Sequence, residues 1–264
     1  MSPASPVIHP VAIRLPRLPA CFDRLGVAVL ADLHAAPGRT GEAHVTAAVR
    51  TVNSAKPDLV VLLGDTVHCA EHAHRYVPLL ADLRARHGVW ATLGNHEHGF
   101  IWYSRFRPHS STLSIEEWRR LYREAGIRLL VNEAHALEKD GARLWLVGVD
   151  DAYSGHDDLP AALAGVDANE ASIIFTHSPD LLDRPRVLEA DLTLAGHTHG
   201  GQVRLPFLGP LWAPCRNPRQ RSAGLITVNG ATAYVSRGLG EGFPLRFRCP
   251  REMPLLTLRA TSAT

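Results

Sequence analysis

Lysine is almost missing from this 264-residue chain: of 28 basic residues only Lys56 and Lys139 are lysines, and the rest are arginines. Arginine offers phosphate a planar two-donor fork, although a genomic bias in composition yields the same excess. An excess of one charge is missing as well. The formal net charge of +2 gives no bulk electrostatic drive toward nucleic acid. Cysteine is sparse: Cys21, Cys69, Cys215 and Cys249 are scattered and form no C-x-x-C pair. That argues against a disulfide framework or a thiolate zinc site and for a reducing compartment. No apolar run approaches the ~18–20 residues that cross a bilayer. The first 20 residues hold five prolines and lack the continuous apolar stretch of a secretory signal. These absences lead us to expect a soluble, cytoplasmic protein.

What remains is an ordinary globular balance, with 45% hydrophobic and 20% charged residues and length enough for a substantial core. We expect a proline-containing N-terminal segment over residues 1–22 and a single domain over 23–260. The runs "LGVAVLADLH" (25–34), "PDLVVLLGDT" (57–66) and "GVWATLGNHE" (88–97) are apolar and β-rich and end in polar clusters. Runs apolar at every position suit strands buried on both faces. Between them "GEAHVTAAVRTVNSA" and "EHAHRYVPLLADLRARH" read as helices that stop at Pro57 and Gly88. The alternation predicts β-α-β crossovers and a largely parallel sheet. Later, "SIEEWRRLYREAGI" reads as a helix, and "IRLLVN", "AHALEK" and "ARLWLVGVD" as short strands. "EASIIFTHSPD" and "ADLTLAGHTHG" repeat the pattern of strand and polar tip, and strands with turns follow to "MPLLTLRA".

Five of the predicted strands end in residues able to hold metal: Asp32 and His34; Asp65; Asn95 and His96; His177; His197 and His199. In open α/β sheets ligands gather outside the carboxyl ends of the strands, so these tips converge. The D-L-H and H-T-H spacings add to this, because residues i and i+2 of an extended segment project to one side. Carboxylate, imidazole and an amide oxygen, without thiolate, suit Mn, Fe or Zn. Such a set exceeds the needs of one tetrahedral ion and suits two ions sharing a carboxylate. Asp65, with two oxygens, is the candidate bridge across the ~3.5–4 Å of two-metal hydrolytic sites. Gly64, Gly94 and Gly196 beside the ligands leave room for close backbone approach. Each motif alone has an ordinary reading as a polar strand end, turn or helix cap; their joint order does not. Other metal signatures fail. "NHEHGF" is not H-E-x-x-H, the H-x-H lacks a following D-H, and no eight-fold β/α repeat is visible.

The series "DLH", "GDT", "GNHE", "THSP" and "GHTH", in that order after apolar strands, resembles the calcineurin-like metallophosphoesterase superfamily. "LAGHTHGGQVRLPFLG" and "VSRGLGEGFPLRFRCPREMPLLTL" are similar to its bacterial YaeI/YkuE-like phosphodiesterase subgroup. The resemblance implies an α/β fold, a four-layer α/β/β/α sandwich of two mixed sheets flanked by helices. It implies two transition-metal ions, Mn, Fe or Zn, with Asp32, His34, Asp65 and His199 on the first and Asp65, Asn95, His177 and His197 on the second. His96 would be the catalytic histidine that is not a ligand, acting on the leaving group. The implied activity is hydrolysis of a phosphoester, most of all a phosphodiester, by a metal-bridging hydroxide. Two departures stand out: Glu97 where aspartate is more usual, and no twin-arginine signal in the first residues.

Three competing readings remain: a nuclease, a protein phosphatase, and a non-catalytic protein that keeps the fold. Balanced charge without a basic stripe counts against nucleic acid, no loop suggests a peptide groove, and no ligand is missing. Asp150, Asp151, His156, His98 and Arg39 are further candidates near the pocket, each as readily an ordinary loop residue. "GGQVRLPFLGPLWAPCR" and "GEGFPLRFRCP" mix apolar residues, prolines and arginines. If loops 203–216 and 242–250 rim the site, they suit a small phosphodiester or a lipid headgroup, with peripheral membrane contact. The same pattern is met if Phe207, Leu208, Leu211 and Trp212 are ordinary core.

Overall fold

The computed structural model describes residues 6–38, 40–99 and 112–261. Its strands in chain order are β1 (Val7–Leu15), β2 (Leu25–Leu30), β3 (Leu59–Leu63), β4 (Val89–Thr92), β5 (Ile127–Leu129), β6 (Glu133–Lys139) and β7 (Ala142–Gly148). They continue with β8 (Ala171–Phe175), β9 (Leu192–Ala195), β10 (Arg204–Leu205), β11 (Gly209–Pro210), β12 (Gly224–Val228), β13 (Ala231–Val235) and β14 (Glu252–Ala260). The helices are α1 (Glu42–Ala55), α2 (Ala73–Tyr76), α3 (Ile115–Glu124), α4 (Leu159–Ala162) and α5 (Pro218–Arg221).

One six-stranded sheet runs β1-β14-β2-β3-β4-β5 and the other β12-β13-β9-β8-β7-β6, while β10 and β11 form a separate hairpin. In the first, β2 to β5 are parallel and β14 is antiparallel to β2. In the second, β7, β8, β9 and β13 are parallel, with β6 and β12 antiparallel at the edges.

Strand pleating explains the layering. On β2, Ala28 and Leu30 face outward into a core that also holds Val45 and Val49 of α1 and Trp118 of α3. Their neighbours Val27 and Val29 face inward, into a second core with Ile173, Phe175 and Leu194 of the opposite sheet. The outer face of that sheet buries Val147, Ile174 and Ala233 against Leu159, Leu163 and Leu181. Three apolar layers separated by two sheets make a four-layer α/β/β/α sandwich. A strand covered on both faces has no polar position to offer, and this is why its sequence is apolar throughout.

α1 stops where expected, with Lys56 in left-handed backbone just before Pro57. α3 begins with a reciprocal cap: Ser114 Oγ accepts from the Glu117 amide, and the Glu117 carboxylate accepts from the Ser114 amide. The helix expected over "EHAHRYVPLLADLRARH" does not form as one piece. A 3₁₀ turn at Ala70–His72 leads to the short α2 and then a 3₁₀ segment, Val77–Asp82. Pro78 lies within it, and its ring and missing N–H break the α-helical ladder. β1 also contains a proline, Pro10, and is tolerated because β1 is an edge strand paired only with β14.

Candidate metal centre

The carboxyl ends of β2, β3 and β4 in one sheet and of β8 and β9 in the other meet at one edge of the sandwich. Asp32, His34, Asp65, Asn95, His96, His177, His197 and His199 all follow these strands, and all are buried. The structure brings all eight together. Among the described residues at these tips, the groups close enough to hold a metal are Asp32 with His34 and His199, Asp65 with His177 and His197, and His34 with His68 and His96. In the first, His34 Nε2 lies 3.0 Å from His199 Nε2, and His199 Nε2 lies 3.7 Å from Asp32 Oδ1. In the second, His177 Nε2 is 3.2 Å from Asp65 Oδ2, 3.0 Å from His197 Nδ1 and 3.1 Å from Asn95 Oδ1.

One local expectation is corrected. Asp32, His34, Asp65, His197 and His199 are not extended: all five have positive φ, between 46° and 67°. Strand alternation therefore does not aim the D-x-H and H-x-H pairs; left-handed turns do. Non-glycine residues in that region are strained and cluster at functional sites. Asp65 turns its two oxygens to different partners. Its Oδ1 accepts the His96 amide at 2.9 Å, while Oδ2 faces His177 at 3.2 Å and His34 at 3.6 Å. A single oxygen stands between the two groups.

Hydrogen bonds around the site fix which ring nitrogen points inward. His177 Nδ1 donates to the Leu63 carbonyl at 2.7 Å, leaving Nε2 for the cluster. His96 Nδ1 donates to the His68 carbonyl at 2.6 Å, and its Nε2 lies 3.8 Å from Asp65 Oδ2. The Asp32 carboxylate is held by the His197 amide. Such outer partners orient ligands and tune their basicity. Close packing leaves no space for side chains at the glycines. A Cβ on Gly94 would lie 2.7 Å from the Asp65 amide nitrogen and would collide with its carboxylate.

Charge in the cluster is unbalanced. Burial, with Asp65 nearby, pushes the Asp32 carboxyl up to about 7. Burial drives His34 and His197 well below the usual imidazole range, and burial followed by the Arg246 charge takes His199 to about 3. For His177 burial opposes the charged form, but Asp65 and Asp32 outweigh it and hold the imidazole well above its ordinary value. The neutral imidazoles of His34, His197 and His199 are in the ligand form, whereas His177 holds the positive charge that the buried carboxylates call for. The donor set and its electrostatics fit divalent cations.

A family model for calcineurin-like phosphoesterases matches residues 25–201. The chain belongs to this family. It is 29% identical to the Bacillus subtilis metallophosphoesterase YkuE, over 93% of this chain and 82% of that protein. It is 32% identical to the Escherichia coli phosphodiesterase YaeI, over 77% of this chain and 71% of that one. The fold is also that of the Haemophilus influenzae NAD nucleotidase NadN, with a TM-score of 0.51, 15% identity and coverage of 82% and 45%. As a calcineurin-like phosphoesterase the chain is a metal-dependent hydrolase of phosphoester bonds.

Glu97, the departure from the usual aspartate, acts on the backbone of this metallophosphoesterase. Its Oε2 accepts from the Asp65 and Gly94 amides at 2.8 and 2.9 Å, and its Oε1 from Thr66 at 2.8 Å and Val67 at 3.4 Å. It thus ties the Asp65 loop to the Asn95 loop. Of the further candidates, His98 and Asp150 pair at 2.8 Å, and the His98 ring stacks on His156 at 3.9 Å. Asp151 accepts from the Tyr153 and Ser154 amides and shapes their loop. Arg39 lies outside the described residues. Sequence reasoning missed Tyr153, whose ring stands 4.4 Å from that of His197. It also missed Arg246, whose guanidinium donates to the carbonyls of Arg237, Gly240 and Cys249 behind His199. No spacing signal marks either residue, because each reaches the site from a loop outside the strand pattern.

The cavity over the cluster is floored by His34, Asp65, His96, His197 and His199 and walled by Tyr153, Trp212, Pro214 and Phe243. Phe207, Leu208, Leu211 and Trp212 are exposed and do not belong to the core.

Proposed function

We propose that this chain is a binuclear-metal phosphodiesterase acting on a small or lipid-linked phosphodiester. The observation that carries the reading is the pair of histidine-aspartate groups with Asp65 Oδ2 between them, 3.2 Å from His177 Nε2 and 3.6 Å from His34 Nε2, and with His96 beside them at the base of one cavity. Asp32, His34, Asp65 and His199 would hold one cation, and Asp65, Asn95, His177 and His197 the other. When bound, the two cations supply a hydroxide nucleophile at neutral pH and neutralise charge on the phosphoryl oxygens.

The chain's own residues do the rest. His96 Nε2 faces the cavity because the His68 carbonyl takes Nδ1, so it can give a proton or hydrogen bond to the leaving oxygen. Gly94 and the backbone tied by Glu97 keep Asp65 and Asn95 in register with His177. Tyr153, Trp212, Pro214 and Phe243 wall the cavity with apolar surface. That surface favours an organic group on each side of phosphorus over a free phosphomonoester. The name of the relative YaeI, a phosphodiesterase, supports the same choice. The reading includes peripheral membrane contact, although no helix among the described residues is long and apolar enough to cross a bilayer.

The test joins elemental analysis to a substrate panel. The Mn-loaded protein should hold two ions per chain and hydrolyse diesters faster than phosphomonoesters, phosphopeptides or nucleic acid. Asp65→Ala should weaken both ion positions. At most one ion under saturating metal, or preference for a phosphopeptide or a nucleic acid, would overturn the reading.

A further inference from the structure

Seven of the eleven large apolar side chains that stand exposed among the described residues fall in loops 203–216 and 242–250. Phe207 is wholly in solvent at the turn between β10 and β11, in left-handed backbone with φ 64°. Leu208, Leu211, Trp212, Leu245 and Phe247 are half or more exposed around it. A bulky residue held in strained backbone and in contact with water points to a role outside folding.

Hydrogen bonds tie the two loops to each other. Gln202 Nε2 donates to the carbonyls of Phe243 and Leu245 at 2.6 and 2.8 Å, and its Oε1 accepts the Gly242 amide at 2.8 Å. The Arg204 amide donates to Phe247 O, and the Phe247 amide to Gln202 O. Arg246 anchors the second loop from below through the carbonyls of Arg237 and Gly240. The apolar tips are thus prongs on a preformed platform and not the ends of loose loops.

Charge decides what the platform meets. Neither loop contains an aspartate or glutamate, and Arg216 and Arg248 are exposed within them, with Arg219 exposed three residues beyond the first. Arg216 also leans on Asp183 at 3.2 Å. Aromatic and aliphatic prongs flanked by arginine match a surface with an apolar interior and anionic phosphate at its boundary. We infer that loops 203–216 and 242–250 are a docking platform for an anionic lipid bilayer. Trp212, Pro214 and Phe243 belong both to the platform and to the lip of the metal cavity. Docking therefore sets the cavity mouth at headgroup level. The consequence for substrate, a phosphodiester entering from the membrane, rests on the hydrolase reading; the docking itself does not.

Vesicle sedimentation of the full, Mn-loaded chain needs no turnover, so its failure and a failure of the hydrolase reading are separate results. The protein should sediment with phosphatidylcholine vesicles containing phosphatidylglycerol and much less with phosphatidylcholine alone, and added salt should weaken the binding. The double substitution Phe207→Ser and Leu208→Ser should lower the partition coefficient about tenfold or more, with metal content and melting temperature unchanged. Leu188→Ser, an exposed apolar residue elsewhere, should have no effect on partition. Three results would overturn the inference: no sedimentation with either lipid, unchanged sedimentation of the double variant, or a protein that self-associates through this face and ignores vesicles.

Discussion

Burial, with Asp65 nearby, pushes the Glu97 carboxyl up to about 7; above that pH its replacement by glutamine removes one charge and changes almost no volume, yet it should be among the costlier single changes in the protein. The carboxylate accepts three short amide hydrogen bonds and a longer one from the loops that carry Asp65 and Asn95. An amide has one oxygen. If it keeps the two amides now on Oε2, the side-chain NH₂ must face the N–H groups of Thr66 and Val67. That loses a bond to a charged acceptor, worth ~1.5–3 kcal/mol, and orphans a buried donor for ~1–3 kcal/mol more. A net cost of about 3 kcal/mol corresponds to a fall in melting temperature of roughly 6–12 °C for a chain of this size. Displacement of Asp65 and Asn95 should also weaken metal binding by about 10–100-fold. Thermal unfolding followed with and without saturating Mn, together with metal titration of the chelated protein, measures both effects. A variant that melts within a degree of the parent and binds metal equally well would refute the role given to Glu97.

His96→Ala should keep its metals and lose about 10²–10⁴-fold in turnover, less for a nitrophenyl ester whose leaving group scarcely needs a proton; loss of bound metal in elemental analysis would instead make His96 a ligand. Gly94→Ala should cost about 1–3 kcal/mol or more through overpacking against Asp65 and His177, read as a lower melting temperature and weaker metal binding. His44, buried in α1, is lowered to about 4 by burial and by the Arg251 charge. Its folded pKa lies below the unfolded value of about 6.5, so the unfolded chain binds more protons between them. The stability of the parent relative to His44→Leu should be constant above about pH 6.5 and fall by about 3 kcal/mol as the pH drops toward 4. A flat difference in urea unfolding across that window would contradict the buried, neutral state of His44.

The strands that carry the site were legible because double burial leaves a signature in every residue: Leu59 to Leu63 has no polar position, and Asp65 follows at once. Co-location of the eight tip residues was legible for the same reason, since parallel strands send their carboxyl ends to one edge. How each of these side chains turns inward was not. Left-handed backbone at Asp32, His34 and His199 is imposed by contacts with residues far along the chain, such as the Gly240 amide on Asp32 O, and no glycine announces it. The break at Pro78 was visible in the residue itself but was outweighed by the apolar pattern around it. Arg246 and Gln202 act through backbone carbonyls and amides, and such partners leave no mark in sequence spacing.

The pairing of β1 with β14 has a consequence for how the chain is made. Val7 lies opposite Glu252, and the register runs on to Leu15 opposite Ala260. Because β14 lies between β1 and β2, β1 has no place in the sheet until β14 has arrived. During synthesis β1 must therefore wait for β14, with Ile13 and Leu15 uncovered, while more than two hundred further residues are added. Such distant pairing slows folding and lengthens exposure to aggregation. Nascent chains stalled before β14 should be protease-sensitive through β1 even where β2, β3 and β4 are already protected.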